Sequence, residues 1–239
     1  MRDERGIAGP RLSIVIPCLD EAAGIVAALE LLQPLRRRGV EVIVVDGGSS
    51  DNSAALAAPL TDLALTAPRG RASQMNAGAA AAHGDFLLFL HVDCTLPPDA
   101  DRLVVNALAA RGRHWGRFDV RLTGAHPWLR AIAFMMNWRS RLTGMVTGDQ
   151  GLFVTRARFT ACGGFPQIPL MEDIAISQQL KMHSVPVVIS ARIAASGRRW
   201  QQHGILRTML LMWRLRLAYF FGSNPAELAE QYPHARDRH

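Results

Sequence analysis

Residues 86–93 read Phe86-Leu87-Leu88-Phe89-Leu90-His91-Val92-Asp93. An unbroken apolar run of this kind predicts a strand buried on both faces, as in a parallel sheet covered by helices. Asp93 is thereby delivered to the strand's carboxyl end, which is where open α/β sheets hold ligands. Alternation along an extended chain puts His91 and Asp93 on one side, about 7 Å apart at Cα, with Val92 opposite. The pair suits one metal ion or one phosphate. The simpler alternative is that Asp93 caps the helix announced by Pro97, Pro98 and Asp99.

Outward from this segment, strand and helix signals alternate. Strands are expected at Leu12–Ile16, Val40–Val45 and Asp62–Thr66, and helices at Glu21–Arg37, Asp51–Ala57, Ala72–His83 and Asp99–Arg111. Such alternation predicts a parallel sheet with a Rossmann-like, nucleotide-binding first half. The second half changes character. Trp115–Leu122 alternates like an antiparallel strand, and His126–Leu142 is a helix rich in Trp, Phe and Met. Residues 144–151 are loop-like, Leu152–Thr155 and Val185–Ala191 are strands, and Glu172–His183 is a helix. An Ile205–Phe221 helix closes the body before a short polar tail from Asn224. The expected fold is α/β, one domain over 1–239 with a mixed, mainly parallel sheet. Its parts are a nucleotide-binding half (12–111), a second half (112–204) and a C-terminal amphipathic helix and tail (205–239).

The chain has 239 residues, 49% of them hydrophobic, enough to bury a large core as one domain. Its formal charge of +7 is almost wholly arginine, Lys181 being the only lysine. Arginine's planar fork suits diphosphates and membrane phosphates. The excess is scattered and forms no basic arm, which speaks against nucleic acid. Cys18, Cys94 and Cys162 are odd in number, widely spaced and free of any CxxC partner, so neither a disulfide framework nor a structural zinc site is expected. The polar stretch from Met1 to Arg11 has no apolar export segment, which leaves the cytoplasm as the default. Residues 205–221 are interrupted by Arg207, Arg214 and Arg216, and 17 helical residues reach about 26 Å against about 30 Å of hydrocarbon. They do not span a bilayer; the helix packs on the domain or a second subunit, or lies in a membrane interface.

The turn after the first strand, Pro17-Cys18-Leu19-Asp20-Glu21, is neither GxGxxG nor GxxxxGK[ST]. Dinucleotide dehydrogenases of the usual type and P-loop enzymes are therefore unsupported. The second strand ends in Val45-Asp46-Gly47-Gly48-Ser49-Ser50-Asp51. Asp46 at the sheet's carboxyl edge can accept hydrogen bonds from a base or ribose. An Asp-Gly turn with Ser50 or Asp51 as helix cap is the plainer reading, and it leaves Asp46 over. Arg69-Gly70-Arg71 precedes a helix that carries Gln74 and Asn76 in its opening turns; helix amino termini and arginine forks both favour anions. Together these segments describe a nucleotide-diphosphate site.

The order of these motifs resembles glycosyltransferase family 2, inverting enzymes of GT-A fold, over roughly Ser13 to His203. Ser13-Ile-Val-Ile-Pro-Cys-Leu-Asp-Glu21 looks like the family's opening strand and "NE" turn. Val44-Val-Asp-Gly-Gly-Ser-Ser-Asp51 resembles "VVDDGSxD" with Gly47 at the second aspartate, and His91-Val92-Asp93 takes the DxD position. Arg69-Gly-Arg-Ala-Ser-Gln-Met-Asn-Ala-Gly78, Gly148-Asp149-Gln150-Gly151 and Arg198-Arg199-Trp200 are similar to a bacterial radical-SAM/selenodomain-associated subgroup.

The resemblance implies a nucleotide diphosphate sugar as donor, held by Pro17, Leu19, Glu21, Asp46, Arg71, Asn76, His91 and Asp93. It implies a divalent cation, Mn²⁺ or Mg²⁺, on Asp93, with His91 and a late histidine, His203, as further ligands. His91 departs from the pattern: it ligates, acts through water, or only bonds phosphate. Met171-Glu172-Asp173 resembles the xED motif, whose aspartate is the general base; Asp173 then takes the acceptor proton and Glu172 supports geometry or acceptor binding. The alternative is that both acids only favour the positive end of the following helix. Arg199-Trp200 is similar to QxxRW, but Ser196 stands for its glutamine, against processive synthesis. Trp200 then floors an acceptor cleft with Asp149 and Gln150 at its rim, and the acceptor is a hydroxyl compound, free or lipid-linked. Rival readings are nucleotidyl transfer and a non-catalytic nucleotide-binding module. The sugar-transfer reading requires Asp46, Asp93 and Asp173 to converge on one pocket.

Overall fold

In a computed structural model that describes residues 12–110, 112–198 and 204–232, the apolar runs of the first half pair as parallel strands. These are β1 (Leu12–Cys18), β2 (Glu41–Asp46), β3 (Leu63–Thr66) and β4 (Phe86–Phe89). Ile14 lies opposite Val42 on one side and Leu88 on the other. The second half adds β5 (Cys94–Thr95), β6 (Trp115–Thr123), β7 (Phe153–Thr155) and β8 (Val187–Ser196), giving one sheet in the order β3-β2-β1-β4-β7-β6-β8-β5. β7 runs antiparallel to β4 and β6, β5 runs antiparallel to β8, and β6 and β8 are parallel. Strand order reverses direction between β1 and β4, so a crevice opens at their carboxyl ends.

Alternate side chains feed two apolar layers. Ile14, Ile16, Val42 and Leu88 meet Ile25, Leu29 and Leu35 of α1 (Ile25–Glu30) and α2 (Gln33–Arg36), and Val104 and Leu108 of α5 (Ala100–Ala109). Val15, Val45, Leu87 and Phe89 meet α4 (Arg71–Ala81) and Ile176 and Leu180 of α8 (Glu172–Lys181). α4 comes so close that a Cβ on Gly78 would lie 2.4 Å from a Val15 methyl. The remaining helices are α3 (Ser53–Ala57), α6 (Trp128–Thr143), α7 (Arg156–Ala161), α9 (Ile205–Phe220) and α10 (Pro225–Glu230). None among the described residues is long and apolar enough to cross a membrane.

A polar clamp pins α6 to β6. The Asn137 amide exchanges hydrogen bonds with the Val120 backbone, both at 2.9 Å. The fully buried Arg117 donates to Asp119 Oδ1 at 2.7 Å and to the Asn137 carbonyl at 3.1 Å, while Arg141 takes Asp119 Oδ2 at 2.6 Å.

Several expectations need correction. The single Glu21–Arg37 helix is two, because Pro34 lacks the N–H that would continue the ladder and opens α2 instead. Trp115–Thr123 is antiparallel to β7 only at Trp115 and Gly116; its polar positions are buried in the Arg117–Asp119 pair, and its long partner is the parallel β8. β8 itself runs on to Ser196. The polar tail contains α10, started by Asn224 accepting from the Ala226 N–H at 3.0 Å with Pro225 behind it. Leu228 and Tyr232 from this segment are buried with Leu215, Met171 and Ile174. β4 ends at Phe89, and the Cys94 N–H donates to the His91 carbonyl at 3.1 Å. His91 and Asp93 thus lie in a turn, where strand alternation does not apply.

Candidate active site

At the carboxyl ends of β1 and β2 two loops are laced together. The Asp20 N–H donates to Ser49 Oγ at 2.9 Å, and Asp20 Oδ1 accepts the Ser50 N–H at 2.7 Å, with Asp20 itself at φ +52°. The Glu21 N–H donates to Ser53 Oγ at 2.7 Å and the Ala22 N–H to Asp51 at 2.9 Å. The backbone of the Pro17–Glu21 turn is therefore held open at the crevice. Gln74 secures the same ends from α4, donating to the Cys18 and Val45 carbonyls at 2.7 and 2.9 Å. A Cβ on Gly47 would lie 3.0 Å from that amide, so glycine at this position and glutamine at 74 are a matched pair.

Asp46, buried at the end of β2, accepts the Gly48 and Ser49 N–H groups, each at 2.9 Å, and the Ser49 hydroxyl. The Asp-Gly turn therefore does account for Asp46, contrary to the expectation that it is left over. Asn76 spends its amide on the Phe165 backbone, accepting at 2.9 Å and donating at 2.8 Å.

Beyond β4 the chain borders a cavity of about 280 Å³. Arg71, His91, Asp93, Asp149, Glu172 and Asp173 all reach it. Asp46 does not line it, so the expected convergence of three acids holds for Asp93 and Asp173 alone. Met171, at φ +70°, turns the chain into α8 and places Glu172 and Asp173 in its first turn. Asp173 Oδ1 accepts the Ile174 N–H at 2.7 Å, and Oδ2 accepts the Gly148 N–H at 3.0 Å. Gly148 belongs to a short turn built by a capping box between Thr147 and Gln150. Gln150 is wholly buried by that duty and does not reach the expected acceptor rim. His91 Nδ1 stands 3.8 Å from Asp149 Oδ1.

Burial raises the Glu172 pKa above its ordinary value; the neighbouring Asp173 adds to the rise and Arg71 opposes it. Desolvation pulls the Arg71 pKa down, yet Glu172, Tyr232, Asp149 and Asp173 together hold it above the ordinary value. Tyr232 from the C-terminal segment and Met212 and Trp213 from α9 complete the cavity wall. Sequence reasoning did not place these three at the site; for Tyr232 the signal was the apolar pair Leu228 and Tyr232 at helical spacing.

Among the described residues no cluster of three or more His, Cys, Asp or Glu is set to cage a metal. One imidazole and one exposed carboxylate, His91 and Asp93, instead fit a divalent ion whose other ligands are phosphate oxygens and water. Arg199, Trp200 and His203 lie outside the described residues.

A mixed α/β sheet, an open crevice at its reversal point and a cavity lined by acids beside an arginine define a ligand-binding α/β class of protein. A match to Glycosyl transferase family 2 covers residues 13–167, and the chain belongs to that family. It is 34% identical over 134 residues to the succinoglycan biosynthesis protein ExoA of Rhizobium meliloti, covering 52% of this chain and 40% of that one. It is 31% identical over 168 residues to an uncharacterized glycosyltransferase of Mycobacterium tuberculosis, covering 66% and 63%. ExoO of Rhizobium meliloti is matched at 34% over 43% of this chain, and the chain spans 31% of its length.

Among solved structures, the mannosyltransferase PcManGT from Pyrobaculum calidifontis, in complex with GDP-Man and Mn²⁺, superposes with a TM-score of 0.63 at 21% identity, over 88% of this chain and 61% of that one. Glucosyl-3-phosphoglycerate synthase from Mycobacterium tuberculosis, with Mn²⁺, UDP and glucosyl-3-phosphoglycerate, gives 0.59 at 18%, over 78% and 71%. These likenesses establish a shared GT-A fold.

Proposed function

We propose that this chain transfers a sugar from a nucleoside diphosphate sugar to an acceptor hydroxyl, with inversion at the anomeric carbon. We also place it in the radical-SAM/selenodomain-associated subgroup, on the strength of its Arg69–Gly78 and Gly148–Gly151 motifs, and read it as one catalytic unit. The observation that carries the reading is Asp173, a carboxylate oriented by two backbone N–H donors on a cavity that Arg71 and Asp93 share.

In this mechanism Asp173 accepts the acceptor's hydroxyl proton. The new oxygen–carbon bond forms at C1 as the carbon–oxygen bond to the diphosphate breaks, and the bonding pair leaves on the phosphate oxygen. Arg71 stabilises that developing charge, and Glu172 keeps Arg71 in place across the cavity. Asp93 and His91, with His203, would hold a divalent ion whose positive charge also favours departure of the diphosphate. The β1–α1 turn (Pro17, Leu19, Glu21) borders the nucleotide, while Asp46 shapes the β2 loop beside it. Asp149, Arg199 and Trp200 serve the acceptor. GDP-Man, UDP and Mn²⁺ in the named neighbours support this reading. Exposed Trp138 on α6 and Trp213 on α9 favour a lipid-linked acceptor.

The test is thermal stabilisation by a panel of nucleotide sugars, followed by calorimetry with UDP and GDP with and without Mn²⁺. A bound donor raises the unfolding temperature by mass action. Nucleotide binding without turnover of any nucleotide sugar would favour the non-catalytic nucleotide-binding module, and absence of nucleotide binding under every metal condition would overturn both readings.

A further inference from the structure

Three arginines, Arg117, Arg139 and Arg141, lie where α6 meets β6, and Asp119 has both carboxylate oxygens committed, one to Arg117 and one to Arg141. Arg139 is left over. Its Nε and Nη2 are buried without a hydrogen-bond partner, although its side chain lines the cavity together with Arg216 of α9. Burial, with Arg216 and Arg117 adding to it and Asp173 opposing, brings its pKa down to about 10, so it remains a cation near neutral pH. Buried donors with no partner are rare and costly in a folded chain. An anion bound at the part of the cavity wall that Arg139 lines would give these donors a partner.

The cavity is also polarised. Arg71 is surrounded by Glu172, Asp149 and Asp173, whereas Arg139 faces Arg216 and Arg117, and Asp173 acts on both arginines. The acid-rich end suits a cationic or metal-borne group. Where Arg139 and Arg216 line the cavity, two guanidinium groups are presented together, the chemistry that binds phosphate oxygens.

We propose that Arg139 and Arg216 form an anion subsite for the acceptor, so that the acceptor carries a phosphate group in addition to the hydroxyl it presents to Asp173. This rests on the sugar-transfer reading for the role of the subsite, though not for its existence. It assigns the acceptor's chemical class from the part of the cavity wall that Arg139 and Arg216 line.

The probe is inorganic phosphate, titrated calorimetrically into Arg71→Gln, which disables the arginine proposed for the donor's diphosphate. Phosphate should bind this variant, and adding Arg139→Gln or Arg216→Gln should weaken binding about tenfold or more. Arg216 is only half-buried on α9, so its substitution decides the matter should Arg139→Gln fail to fold. Unchanged affinity in the double variants overturns the subsite. Displacement of phosphate by glycerol 3-phosphate supports a soluble acceptor, and displacement by phosphatidic acid vesicles supports a lipid headgroup. Displacement by neither means an adventitious ion only and overturns the acceptor assignment. Nucleotide binding by the unaltered chain is read separately: its absence, with Arg139-dependent phosphate binding kept, sinks the sugar-transfer reading and leaves the subsite standing.

Discussion

The Gly148 N–H donates to Asp173 Oδ2 at 3.0 Å. The same glycine lies against the His91 ring, and a Cβ there would fall 2.2 Å from Cε1. One backbone position therefore sets the distance between the proposed base and the turn that carries Asp93. Gly148→Ala has to push His91 aside or withdraw the N–H from Asp173. Displacements of about 1 Å cost about 100-fold in rate, so turnover should fall by at least about tenfold. The melting temperature should change little, because the turn is held by the Thr147–Gln150 capping box. Steady-state kinetics paired with a thermal melt would show it, and wild-type turnover would contradict the proposed coupling.

Asp173→Asn keeps the side chain's size and its acceptor oxygen but cannot take a proton. General-base loss costs about 10²–10⁴ in rate. We expect kcat to drop within that range while the affinity for nucleotide stays within about threefold. Asp93→Asn should behave differently, weakening nucleotide binding chiefly when Mn²⁺ is present. Calorimetry with and without the metal separates the two, and near-normal turnover in either purified variant removes its assigned role.

Glu172 carries a pH signature in stability. Burial raises its folded-state pKa above the ordinary value of 4.5, so over that window the folded state holds the proton more tightly than the unfolded chain. Stability contributed by this group then falls as pH rises from about 4.5 through the folded pKa. Glu172→Gln should flatten the dependence across that window and leave the acid limb, below pH 4, unchanged in shape. Urea midpoints measured at pH steps of half a unit would reveal it; parallel curves for the two proteins would mean that Glu172 is already ionised there.

The first half of the fold was legible because each strand there is a short apolar run and each helix has its own stop. The Glu21–Arg37 break needed only the weight of Pro34. The carboxyl-edge loops were found by composition, yet the partners of Asp46 were not: its oxygens are taken by Gly48 and Ser49 next to it, a turn geometry that the same letters permit but do not require. Asn76 and Gln150 looked like ligand groups because amides serve ligands and backbone alike, and only tertiary packing decides between Phe165, the Thr147 turn and a substrate. Gly47 illustrates the converse. A side chain there would press on the amide of Gln74, 27 residues away, with a Cβ only 3.0 Å from it, and that amide is held by the Cys18 and Val45 carbonyls. The β6–α6 clamp was hidden for the same reason, since Arg117 and Asp119 scan as a solvated strand face until Asn137 and Arg141 cover them.

The C-terminal hairpin offers the sharpest separation of stability from site assembly. Leu228 is 3% exposed and packs with Leu215, itself fully buried, while Tyr232 from the same segment lines the cavity and faces Arg71. Leu228→Ala removes a buried side chain that typically contributes about 2–5 kcal/mol. This cluster joins α9 and α10 to Met171 and Ile174 and is separate from the two layers on the sheet. The loss should therefore appear as local opening of the hairpin before global unfolding. Amide exchange in residues 225–232 should accelerate by at least about tenfold while the amides of β1, β2 and β4 keep their protection. With Tyr232 released, the wall beside Arg71 opens, so KM for donor or acceptor should rise more than kcat falls. Uniform acceleration of exchange across the sheet would show instead that the hairpin and the core unfold as one unit, and the cavity wall would then be a fixed part of the fold.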